Sequence, residues 1–200
     1  MRKPARFDTI MLMNRLLGNP LVRAWLAIVG TATLVLGASY AMVQQSTRLS
    51  ADDLPLTTSQ VAKQELQNGS GAKDVVPTLK TDLRNDASVF MIVTDSSQHV
   101  IAGSAVLDGQ TPLPPRGTFS FTKAHGTDHF TWQPSAGVRL ATRITTYGQS
   151  PNNGFIITGQ SLKPFEDRVS IYGWSALAAW LAVMAWTYLL ILLPKAPKRK

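Results

Sequence analysis

The sequence predicts an α+β protein: an antiparallel sheet with an early helix packed on it, flanked by two transmembrane α-helices. Three observations predict it. Two uncharged apolar runs, Ala24–Val43 of 20 residues and Ser170–Leu193 of 24, bracket the middle of the chain. Between them a helix-like pattern gives way to short β-rich runs. Short turn-forming segments join several of those runs, which favours antiparallel pairing.

The apolar runs come first. At about 1.5 Å per residue, roughly 20 residues cross the hydrocarbon core of a bilayer. Tyr172, Trp174 and Tyr188 lie where interfaces are expected, and Trp180 and Trp186 enrich the same run. Charge sets the orientation. The chain carries a net +8, a balance that often marks nucleic-acid binding. Here residues 44–169 hold 11 basic and 11 acidic side chains. The excess sits in residues 1–23 (Arg2, Lys3, Arg6, Arg15 and Arg23 against Asp8) and in residues 194–200 (Lys195, Lys198, Arg199, Lys200). Cations beside apolar runs are the positive-inside signature, which argues against nucleic acid and for membrane lipid as partner. Residues 1–23 and 194–200 are expected in the cytoplasm, 24–43 and 170–193 in the membrane, and 44–169 outside. Ser39-Tyr40-Ala41 has the small-x-small form of a signal-peptidase site, but the long run and the 23 residues before it read as an uncleaved anchor. The chain has no Cys, and an outer domain of this size does not need disulfides, which fits a bacterial plasma membrane. Asn68-Gly69-Ser70 matches a glycosylation acceptor, without meaning in such a host.

The outer segment follows in order. Thr57 and Gln60 form a capping box for one amphipathic helix carrying Val61 and Leu66 and ending at Asn68-Gly69. A second short helix is expected over Pro77–Asn85, with Leu79 and Leu83 one turn apart. VFMIVT (Val89–Thr94) and HVIAGSA (His99–Ala105) are strands joined by the turn Asp95–Gln98. After a proline-rich loop, TFSFT (Thr118–Thr122) alternates, with Phe119 and Phe121 on one face, and KAHGTD is a turn. HFTWQ (His129–Gln133), GVRLATRITTY (Gly137–Tyr147) and FIITGQ (Phe155–Gln160) form a meander, the last two joined by GQSPNNG. Pro164, Glu166 and Asp167 signal a helix leading into the second span.

The hairpin FMIVTDSSQHVIAGSA resembles the opening of PAS-like (Cache/PDC-type) extracytoplasmic sensor domains, and TWQPSAGVRLATRITTY with GFIITGQSLKPFEDR resembles their closing strands. The resemblance covers roughly residues 54–168. It implies a five-stranded antiparallel sheet with a pocket on one face and a last strand running into the second membrane helix. Similar domains form the outer part of bacterial sensor kinases and chemoreceptors. The turn here, Asp95-Ser96-Ser97-Gln98, lacks the glycine common in relatives. Residues 194–200 are too few for the output domain that such sensors carry.

No nucleophile motif, phosphate loop or zinc-protease motif occurs, so neither an enzyme nor a cofactor is expected. His125, Asp128 and His129 cluster in sequence as weak metal candidates, against the plainer reading of a polar loop entering a strand. Lys123, Arg139 and Arg143 are candidates for a small anionic ligand. Arg139 and Arg143 share a strand face opposite Val138, Leu140, Thr142 and Ile144, which marks the latter as core. Trp132 lines a pocket or fills the core. Thr33, Gly37 and Ala41, and Ala178 and Ala182, repeat at four-residue spacing and suit close helix packing, within the chain, in a homodimer or with another membrane protein. Two functions stay open: an orphan sensory or regulatory module signalling through a partner protein, and a structural or assembly subunit of a cell-envelope complex.

Overall fold

The computed structural model describes residues 18–149 and 152–192. The basic ends and the Ser150-Pro151 connection lie outside them. Two compact units divide the chain, Gln45–Arg168 and the flanking segments through Gln44 and from Val169. In order come α1 (Pro20–Gln67), α2 (Ala72–Val75), β1 (Thr81–Asp82), β2 (Phe90–Asp95), β3 (Val100–Gly103), β4 (Ala105–Val106), α3 (Arg116–His125), β5 (Thr127–Ser135), β6 (Val138–Gln149), β7 (Asn152–Ser161) and α4 (Lys163–Leu192).

The class stands as read: α+β, with a five-stranded sheet ordered β3-β2-β7-β6-β5 and every neighbour antiparallel. Side-chain alternation gives it two buried faces. Phe90, Ile92, Leu140, Ile144, Phe155 and Ile157 share one core with Trp132 and with Phe119 of α3. Met91, Val93 and Ile156 share the other with Ala62 and Val76, and Leu66 packs against them. This explains the unbroken apolar run of β2, a central strand covered on both sides.

The sheet edges differ. β3 is four residues long, its register shifts at Val93/Thr94, and Gly103 accepts a hydrogen bond from Lys80 Nζ. β5 is nine residues long and contains neither Lys nor Arg.

Four elements depart from the sequence reading. The amphipathic helix does not start at Thr57. α1 runs unbroken from Pro20 through Pro55 to Gln67, and Thr57 Oγ1 donates within the helix to the Asp53 carbonyl at 3.0 Å. The helix expected over Pro77–Asn85 is absent, because Leu79 is exposed while Leu83 is buried, and Thr81–Asp82 pairs in parallel with Ala105–Val106. TFSFT is helical: Phe119 is 1% exposed and Phe121 49%, so they do not share a face. The helix closes on Gly126 at φ 84, whose N–H donates to the Thr122 carbonyl. Finally, His99–Ala105 is cut at Ser104, whose Oγ accepts from Met91 N at 3.0 Å.

Both α1 and α4 are long and apolar enough to cross a membrane. Asn19 Oδ1 accepts from Leu21 N just ahead of Pro20, which suits the first helical position. Within the flanking unit the apolar stretches pack antiparallel. Trp25 Nε1 donates to Thr187 Oγ1 at 3.0 Å, and Trp180 Nε1 donates to Thr33 Oγ1 at 2.9 Å. At the next tier a Cβ on Gly173 would lie 3.2 Å from the Tyr40 ring. Of the small residues singled out above, Thr33 takes part in these contacts, whereas Gly37, Ala41, Ala178 and Ala182 are exposed.

Candidate functional site

The best-developed polar constellation lies where α1 crosses β6 and β7. The face of α1 buried there is small: Ala51, Pro55, Ser59 and Ala62. Spacings of three and four put these residues on one helix stripe. Opposite them, Arg143 on β6 pairs in register with Thr158 on β7, and Gln160 follows on the same face. Thr158 is 0% exposed and Gln160 3%, so both need partners.

α1 supplies them. Proline has no N–H, so Pro55 leaves the Ala51 carbonyl without its helical donor. Gln160 Nε2 donates to that carbonyl at 2.8 Å. Thr158 Oγ1 donates to the Pro55 carbonyl, also at 2.8 Å. Arg143 forms a largely buried ion pair with Asp52, while its Nε is buried without a partner. The other β6 arginine, Arg139, pairs with Glu166 in the first turn of α4, and its carbonyl accepts from Leu162 N at 2.8 Å.

These contacts decide where the predicted site residues stand. Arg139 and Arg143 do share a face, opposite buried Val138, Leu140, Thr142 and Ile144. Each is matched by a carboxylate of this chain. Trp132 pairs with Leu140 and faces the other core, so the sheet separates it from the arginines. Lys123 is exposed near the end of α3, the helix that covers the Trp132 side. The four are not one site. His125 stacks on Phe121 with ring centres 4.1 Å apart, and its Nδ1 lies 2.9 Å from the Phe121 carbonyl. Asp128 and His129 are successive residues of β5 and point to opposite sides. Among the described residues no group of three His, Cys, Asp or Glu gathers as a metal site.

No family model, curated protein or solved structure matches this chain. The β2–β3 turn is held by a side chain of its own. Asp95 Oδ1 accepts from Ser97 N and His99 N, each at 2.8 Å, and Gln98 takes a positive φ of 70. The main-chain bond from His99 is the chief reason the Asp95 carboxyl is held below its ordinary range. A second cluster ties β1 to the loop after β4. Arg84 binds Asp108 through two bonds of 2.8 and 3.0 Å, which holds the Asp108 carboxyl low and raises the guanidinium.

Sequence reasoning missed Pro55, Thr158 and Gln160. The available signal was Pro55 itself, an interior proline between two helical stretches. Its partners come from the far end of the domain, and periodicity does not reveal them.

Proposed function

We propose that this is a bacterial two-span plasma-membrane protein whose outer domain is PAS-like and serves as a sensory or regulatory module acting through a partner protein. One observation carries the reading: each helix that continues into an apolar run is held on the same strand, β6, by its own arginine. Arg143 holds α1 through Asp52, and Arg139 holds α4 through Glu166. A change in β6 therefore has a direct route into both helices. The five-stranded antiparallel sheet, the Asp95–Gln98 corner and a last strand leading into α4 support the PAS-like assignment. Transmission of this kind requires an input that binds two states unequally.

A second reading, an assembly subunit of an envelope complex, draws support from the filled sheet. Both faces carry packed side chains, and the two arginines are matched within the chain. Crosslinking in the native membrane, followed by mass spectrometry of co-purifying chains, separates the two. A reproducible kinase, cyclase or transporter is expected. Recovery of envelope or division proteins alone would select the assembly reading.

A further inference from the structure

We infer that the contact of α1 with β6 and β7 is a register lock, which fixes the axial setting of α1 on the sheet and rejects settings one helical turn away. The stripe Ala51, Pro55, Ser59 and Ala62 is smooth and repeats about once per turn. Apolar burial is non-directional, so such a stripe discriminates poorly between settings about 5.4 Å apart. The polar contacts discriminate. In the observed setting Arg143 meets Asp52. One turn away it meets Arg48 in one direction and Leu56 in the other. The first juxtaposes two cations. The second leaves a guanidinium whose side chain is 11% exposed facing an apolar residue. Either slip also parts Gln160 from the Ala51 carbonyl, the acceptor that Pro55 leaves open. The proline is thus the keyhole and Gln160 the key. The lock shares the Arg143–Asp52 pair with the proposed function but does not require that anything binds outside.

The 200-residue chain, which lacks Cys, suits spin labelling in nanodiscs. Labels at Val61→Cys paired with Thr131→Cys, and at Val61→Cys paired with Leu113→Cys, report the setting from exposed positions. The otherwise unsubstituted chain is expected to give one narrow distance distribution per pair. Arg48→Asp with Asp52→Arg moves the carboxylate one turn, and Gln160→Leu removes the key. The triple variant is expected to shift at least one distribution by up to about 5 Å. Unchanged distributions, or two settings already present in the parent, would overturn the lock. If the triple variant does not fold, a cycle of Pro55→Ala and Gln160→Leu decides by Tm. Gln160→Leu is expected to lower Tm with Pro55 present. The loss is expected to be clearly smaller in the Pro55→Ala background, where the restored backbone N–H serves the Ala51 carbonyl. Equal losses in both backgrounds would refute it.

Discussion

Asp95 shows how one carboxylate can set a corner. It accepts two main-chain N–H bonds, and these hold its folded pKa below the ordinary value near 4. A depressed carboxyl contributes stability above the unfolded pKa and loses it as pH falls through the folded one. The Ser97 and His99 amides should therefore exchange faster with solvent below about pH 4, after correction for intrinsic rates, and Asp95→Asn should remove that pH dependence. Gly154 is constrained differently. A Cβ there would lie 2.0 Å from the Thr94 carbonyl oxygen across the β2–β7 pair. Gly154→Ala should lower stability by about 1–3 kcal/mol or more, measured by denaturant unfolding. The Asp95 turn was legible because its partners are adjacent in sequence. The demand at Gly154 was not, since it comes from a strand distant along the chain.

At the scale of elements, α3 is the instructive error. Two phenylalanines at i and i+2 fit the strand period over five residues, and tertiary packing chose the helix. Phe119 enters the core and meets Phe155 edge-on at 5.1 Å, while Phe121 stays outside. Phe119→Ala should cost about 3–5 kcal/mol, and Phe121→Ala about 0.5 kcal/mol or less. Similar losses in thermal unfolding would restore the strand reading. α1 was read as two pieces because Thr57 and Gln60 have the spacing of a capping box. In the structure the helix continues through Pro55, and the Ala51 carbonyl that the proline leaves open is satisfied by Gln160. In the apolar unit, Trp25→Phe and Trp180→Phe each remove one indole–hydroxyl bond. Each should weaken association of the two helices by roughly 0.6 kcal/mol, read by steric trapping in bicelles.

For the whole molecule, the legible features were the ones written in composition: two apolar runs, basic ends and a neutral middle. The central strands were legible too, because β2, β6 and β7 carry strong local patterns. That the early helix covers one sheet face was legible as well. That α3 covers the other was not, since TFSFT reads locally as a strand and reaches the sheet through non-local contacts. The charge asymmetry makes a direct prediction. Reporters fused to either terminus should be active only in the cytoplasm, and one inserted at Asn68-Gly69 only outside. An N-terminal fusion active outside would reverse the reading.

The unequal sheet edges bear on how the protein behaves in quantity. A long strand edge without positive charge is a template on which further strands add, whereas a short, lysine-guarded edge is not. Over residues 127–132, ahead of Pro134 and the register shift at Trp132/Ser135, β5 is the first kind, and β3 is the second. On concentration or mild heating, growth of aggregates should begin at β5. Thr131→Lys, in the middle of that edge, should delay the onset of light scattering, and Val100→Lys on β3 should not. The shelf life of the purified protein would then depend on one exposed threonine.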